Sequence, residues 1–189
     1  MSAVEIEGVR AQLPPAGNWA FDKAHTVVGF TARHMLTKVH GRFTAFDGEV
    51  RIAERPEDSS VKVEIQTASV STDNEQRDGH LRSGDFFETE AYPTITFVST
   101  AVRPLGSETF ELDGMLTIKG VSKPVTLRAT FDGWGPGMQE GTTLAAFSAG
   151  TTIDREDWGL TWNVAVETGG FLVSKKIDIE IEAELHLAE

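Results

Sequence analysis

Hydrophobic and polar residues alternate along most of this chain. Val61, Val63 and Ile65 interleave with Lys62, Glu64 and Gln66. Phe110, Leu112, Gly114, Leu116 and Ile118 interleave with Glu111, Asp113, Met115, Thr117 and Lys119. Val125, Leu127, Ala129 and Phe131 follow in the same way. The clearest run is Ile177, Ile179, Ile181, Ala183, Leu185 and Leu187 against Lys176, Asp178, Glu180, Glu182, Glu184 and His186. Successive strand side chains point to opposite faces, so each segment predicts a strand with one wet and one buried face. That is the signature of antiparallel sheet, since parallel strands read as continuous apolar runs.

Shorter stretches fill the gaps. Strands are predicted over 18–23, 26–34 (Val28, Phe30 and Ala32 inward), 42–52 (Phe46, Val50 and Ile52 inward), 94–102 (Ile95 and Phe97 inward) and 143–153. Gly120, with Pro124 following, marks a tight hairpin, and Asp132-Gly133 with Gly135-Pro136-Gly137 marks another turn. Helix is scarce. One short helix is predicted over 74–83, entered through Thr72-Asp73-Asn74 and stopped at Gly84. Residues 1–17, with Pro14-Pro15 and Gly17, read as an arm leading into a single domain over 18–189.

So many one-faced strands leave a closed barrel or a sandwich. The long segments 109–119 and 175–187 suit tilted strands wrapping a barrel. The expected fold is therefore all-β: an antiparallel up-and-down barrel of about eight strands, whose interior either fills with side chains or holds one small ligand. Small residues on apparent inward faces (Ala32, Gly48, Gly114, Ala129, Ala146 and Gly150) lean towards a cavity.

Composition narrows the function. With 189 residues and 40% hydrophobic content, the chain suits one ordinary domain and is too apolar for a disordered one. A formal charge of −12 disfavours nucleic acid and anionic lipid surfaces as partners. No apolar run reaches the roughly 18 residues of a spanning helix, so no stable membrane insertion is expected. The absence of cysteine excludes disulfides, thiolate metal sites and a cysteine nucleophile. Glu5 and Glu7 interrupt the position of an export signal's apolar core, which gives a cytoplasmic expectation.

One stretch breaks the period of two: Arg77-Asp78-Gly79-His80-Leu81-Arg82-Ser83-Gly84-Asp85-Phe86-Phe87. On a short helix Arg77 and His80 share a face. Such a helix-loop would cap a barrel mouth, with Phe86 and Phe87 pointing down the cavity and Arg77, His80 and Arg82 meeting a polar head group. The plainer reading is a helix salt-bridged to Asp78 and Asp85, worth only about 0.3–0.5 kcal/mol per exposed pair.

This block resembles the YceI-like family. The similarity continues in Asp22-Lys23-Ala24-His25-Thr26 with Gly29-Phe30 and His34, in Gly41-Arg42-Phe43, and in Tyr92-Pro93-Thr94-Ile95-Thr96-Phe97. It extends through Gly114-Met115-Leu116-Thr117-Ile118-Lys119-Gly120 to Asp154-Arg155-Glu156-Asp157-Trp158-Gly159, covering roughly residues 18–187. The resemblance implies a lipocalin-like extended barrel with a hydrophobic tunnel for a long isoprenoid, isoprenoid quinone or similar lipid, often in a homodimer. Many members are exported, and this chain departs from them in its opening residues. Trp158 and Trp162 stand where other residues are frequent, which would shorten or reshape the tunnel.

The ligand-binding candidates are Phe30, Arg77, His80, Leu81, Arg82, Phe86, Phe87, Phe97, Leu116 and Leu127. No catalytic residue, metal ligand or cofactor other than a bound lipid is assigned. Asp22-x-x-His25 reads as a hydrogen-bonded turn. His34 and His40 lack a carboxylate at metal-site spacing. Residues 154–157 read as a charged turn. The alternative function is an enzyme with His80 as general acid–base and Arg77 or Arg82 holding an anion. No Gly-x-Ser-x-Gly elbow, phosphate loop or dinucleotide fingerprint accompanies it.

Overall fold

The computed structural model describes residues 13–167 and 169–188. Its strands are β1 (Gly17–Phe21), β2 (Val27–His34), β3 (Thr37–Phe43), β4 (Phe46–Ile52), β5 (Ser60–Gln66) and β6 (Val70–Ser71). Beyond a single helix, α1 (Glu75–Arg82), come β7 (Thr94–Pro104), β8 (Thr109–Ile118), β9 (Val121–Pro136), β10 (Thr143–Asp154) and β11 (Val173–Leu187). Every pairing is antiparallel. The order β1-β4-β5-β7-β8-β9-β10-β11 closes through a β1–β11 pairing into an eight-strand barrel.

β2, β3 and β6 extend the same wall. β2 continues β1 along β11, β3 continues β4 backwards along β2, and β6 lies beside the end of β3. The result is an up-and-down meander whose first and last strands meet. The join has a gap where β1 ends and β2 begins, opposite Glu184. Asp22 donates its amide to the Glu184 carbonyl at 2.8 Å, and the buried Thr26 hydroxyl contacts both the carbonyl and the amide of Glu184 at 3.1 Å. Asp22 Oδ1 meanwhile accepts from the amides of Ala24 and His25. The Asp22–Thr26 motif thus satisfies backbone groups that strand pairing leaves open.

Three sequence expectations need correction. The strand predicted over 42–52 is two strands, and 37–43 is itself a strand. Asp132-Gly133 is no turn: β9 runs through it, and a bulge there sets both Phe131 and Trp134 beside the inward residues Phe147 and Ala145. The arm is only partly outside the fold, since Leu13 and Pro14 border the interior and Trp19 Nε1 donates to Pro15; its residues 1–12 lie outside the described ones. The β8–β9 hairpin is as expected. Lys119 (φ 50°) and Gly120 (φ 74°) supply the two successive left-handed residues that a tight hairpin with matching twist requires.

Candidate functional site

The inward faces of the strands enclose an apolar cavity of about 360 Å³, within the range of small-molecule sites. Apart from Arg51, Ser59, Thr151 and Arg155, every wall side chain is hydrocarbon. One end lies at the β4–β5 connection, bordered by Ile52, Ala53, Pro56 and the entering Leu13 and Pro14. At the other end stand Leu81, Phe86, Phe87 and Leu160.

The inward glycines do not widen this space. Phe30 lies across Gly41, Phe97 across Gly114 and Phe21 beside Gly48, so close that a Cβ would meet each ring at 2.2, 2.4 and 2.9 Å respectively. Ala32 and Ala129 do line the cavity, whereas Ala146 and Gly150 take the opposite phase from Ala145, Phe147, Ala149 and Thr151. Four of the expected small inward positions, Gly48, Gly114, Ala146 and Gly150, are thus filled by a neighbouring ring or reversed in phase, and the hollow lies between the rings.

α1 is fastened over its end by its own charges. Asn74 caps the helix by accepting from the Arg77 amide at 2.9 Å. Asp78, 6% exposed, accepts from the Thr72 amide at 2.8 Å and the Thr72 hydroxyl at 2.6 Å. Arg77 donates through Nε to Thr72 Oγ1 and through Nη2 to the Thr72 carbonyl. Arg82 donates to the carbonyls of Ala68 and Val70 at 2.9 and 3.0 Å, beside β6, which pairs with β3 alone. After the helix the Phe87 amide returns to the Leu81 carbonyl, and both Phe86 and Phe87 turn into the barrel.

Of the ten sequence candidates, Phe30, Leu81, Phe86, Phe87, Phe97, Leu116 and Leu127 stand in the wall. Arg77, His80 and Arg82 do not. The two arginines are engaged with β6 and its approaches as described. His80 Nε2 lies 2.8 Å from Asp85 Oδ2, with its ring edge-on to Trp162 at 4.5 Å and Phe86 at 5.1 Å. The three side chains converge on no common target. Trp158 and Trp162 are also outside the wall. Trp158 is buried, donating to the Leu116 carbonyl at 3.0 Å, and Trp162 packs on His80 and Phe86.

Of the four polar wall residues, Arg155 is the buried one. It opens the 3₁₀ turn Arg155–Trp158, which Asp154 caps and left-handed Gly159 ends. Arg155 is 5% exposed; Nε donates to the Ser174 carbonyl at 3.0 Å and Nη1 to that of Leu160. Burial pushes its pKa down, opposed by the nearby charges of Glu156 and Asp154. Its position was legible: 155 continues the inward phase of Thr151 and Ile153.

On the exterior, Asp22, His25 and Glu184 bring oxygen and nitrogen ligand atoms within 4.8 Å of one another. Their observed contacts are those of a turn, with His25 Nδ1 2.9 Å from Asp22 Oδ2 and 3.6 Å from Glu184 Oε1. The Asp22 hydrogen bond raises the His25 pKa and lowers that of Asp22. Among the described residues no helix is long and apolar enough to cross a membrane.

The YceI-like domain family matches residues 19–185. The chain belongs to the YceI-like family. A UPF0312 protein of Staphylococcus aureus (strain MSSA476) is 37% identical over 175 residues, covering 91% of this chain and 99% of that protein. The crystal structure of the Campylobacter jejuni YCEI protein superposes with a TM-score of 0.72 at 32% identity, covering 89% of this chain and 96% of that one. A polyisoprenoid binding domain from Saccharophagus degradans has the same fold at 14% identity, with a TM-score of 0.66 over 90% of this chain and 98% of its own.

Proposed function

We propose that this YceI-like protein binds a long apolar molecule, of the polyisoprenoid or isoprenoid-quinone class, inside its barrel. The observation that carries the reading is the hydrocarbon wall, closed at one end by Phe86 and Phe87. The Saccharophagus degradans neighbour, described as polyisoprenoid binding, supports it. Each methylene moved from water into such a wall gains about 0.8 kcal/mol. Ten enclosed carbons therefore supply about 8 kcal/mol before ordering costs. Affinity on this account comes from area and enclosure.

Displacement of the fluorescent apolar dye N-phenylnaphthylamine by geranylgeraniol tests the reading. The wild-type protein is expected to bind the dye and release it as the prenol is added. Ala149→Phe, which places a ring on the inward wall, is expected to bind neither. A folded wild-type protein that takes up neither compound would overturn the assignment, as would an Ala149→Phe variant that binds both unchanged.

A further inference from the structure

The basic residues of this acidic chain are unevenly placed. β2, the following turn and β3, residues 27–43, carry Arg33, Lys38 and Arg42 and no aspartate or glutamate, in a chain with 29 acidic against 17 basic residues. Arg42 pairs with Asp73. Arg33 and Lys38 are exposed and face each other across the β2–β3 ladder. Among the described residues no carboxylate pairs with either. Like charges directly opposite each other in a sheet are destabilising.

The turn between them is equally unfavourable. Met35 (φ 50°) and Leu36 alone join the two strands, where a two-residue hairpin ordinarily takes glycine, asparagine or aspartate. A bulky side chain in the left-handed region is strained, and strain of this kind persists mainly at functional sites. Both side chains also face water, Met35 being 50% and Leu36 88% exposed. The Met35 amide donates to the Leu172 carbonyl at 2.9 Å and the Leu172 amide to that of Val164, so the exposed Val164 and Phe171 lie alongside. Lys175, itself paired with Glu156, holds Nζ 5.8 Å from the Phe171 ring centroid. Glu167 is the one acidic residue over 160–174. Turn preference, charge pairing and burial are thus all overridden at one spot. It lies at the end of the barrel that α1 covers: Ala32 and Val173 belong to the cavity wall, and Trp162 packs on Phe86.

We propose that this tip docks the protein on an anionic lipid bilayer, with Met35, Leu36 and Phe171 entering the head-group layer and Arg33 and Lys38 lying against the lipid phosphates. An apolar protrusion with a basic surround is the pattern of interfacial membrane anchors, and basic residues are drawn to an anionic leaflet within about a Debye length of it. The formal charge of −12 averages over this asymmetry and conceals it. A second copy of the chain is the poorer occupant, because a two-fold interface sets the same patch against itself, basic against basic. A bilayer also admits a protruding tip without offering a matching pocket. The inference goes beyond the proposed function and does not depend on what the cavity holds.

Vesicle flotation of the full chain tests it, comparing phosphatidylcholine alone with equal parts of phosphatidylcholine and phosphatidylglycerol. Each of the two charges is worth about fivefold at such a surface. The wild-type protein is therefore expected to bind the mixed vesicles about 25-fold more tightly, and less so in high salt. Arg33→Gln combined with Lys38→Gln is expected to lose that preference, with urea unfolding unchanged or improved now that the opposed charges are gone. Leu36→Ser is expected to weaken binding about tenfold, and Arg128→Gln, which removes an exposed charge of β9, to leave it as it is. Because the chain has no cysteine, Leu36→Cys takes a single environment-sensitive label. Its fluorescence is expected to rise and shift to the blue on mixed vesicles. The same label at Leu105→Cys, in the β7–β8 connection at the other end of the barrel, is expected to stay unchanged. Wild-type protein that ignores the mixed vesicles, or a label at Leu36→Cys that stays in water on them, would overturn the inference. So would a wild-type dimer in sedimentation velocity that Leu36→Ser dissolves with vesicle binding unaltered, which assigns the tip to a second copy.

Discussion

Gly41→Ala probes the packing of rings over glycines that shapes the cavity. A Cβ at this position would lie 2.2, 2.7 and 2.8 Å from three atoms of the Phe30 ring, with that ring supplying all three nearest neighbours. Ordinary contact begins at 3.4 Å, so the ring must retreat by at least 1.2 Å. The direction open to it is the hollow. Overpacking of this kind costs about 1–3 kcal/mol. Against this, alanine recovers about 0.5–1 kcal/mol of the entropy that glycine loses in a strand. The net expectation is a destabilisation of about 0.5–2 kcal/mol.

In a Phe30→Leu background the ring is gone, and the same Gly41→Ala substitution is expected to be neutral or stabilising by up to about 1 kcal/mol. The two residues face each other across the β2–β3 ladder, so a coupling in the range of about 0.5–3 kcal/mol is expected. Equilibrium urea unfolding of the four proteins measures it, provided the m-values agree. The displaced ring should also weaken dye binding in Gly41→Ala. A substitution with the same sign and size in both backgrounds would refute the reasoning.

Other consequences follow from the polar contacts. Asp78→Ala removes the buried acceptor of the Thr72 amide and hydroxyl, and is expected to cost about 1.5–3 kcal/mol in urea unfolding and to speed amide exchange in α1. Unchanged exchange there would contradict the fastening role of the helix charges. Thr26→Val strips the hydroxyl that answers both backbone groups of Glu184, at an expected cost of about 1–3 kcal/mol, read by urea unfolding. Asp22 and His25 set a pH window. The contribution of Asp22 is present above its ordinary value of 3.8 and fades as pH falls through its lowered native value. That of His25 is present below its ordinary 6.5 and fades as pH rises through its raised native value. An NMR titration is expected to put the His25 midpoint above 6.5, and Asp22→Asn to bring it down; a midpoint unmoved by the substitution would remove the pair.

The barrel was legible in the sequence because alternation reports a one-sided burial directly. The inward residues of β8 and β11 were assigned from period alone, and the hairpin between β8 and β9 from Gly120 with Pro124 following. β3 was hidden for a specific reason: its inward position 41 is a glycine whose place is taken by Phe30 from the next strand, so the pattern Val39-Gly41-Phe43 loses its middle term. The Gly133 bulge was hidden because glycine serves bulges and turns alike.

The polar residues were harder to read. Arg77 and Arg82 are in a dense charged cluster that suggests ligand chemistry, yet they answer backbone carbonyls and a threonine hydroxyl around β6. Carbonyl acceptors leave no mark in a sequence. Arg155 had the reverse problem. Acidic neighbours disguised it as part of a surface turn, although its parity with Thr151 and Ile153 placed it inside.

The most direct test of the barrel as a lipid container is a crystal structure of the protein grown with geranylgeraniol. The account predicts continuous density for a single extended chain along the bore, from beneath Phe86 towards Ile52 and Pro56. Side chains collapsed across that bore, with the prenol absent or bound only on the outer surface, would contradict it.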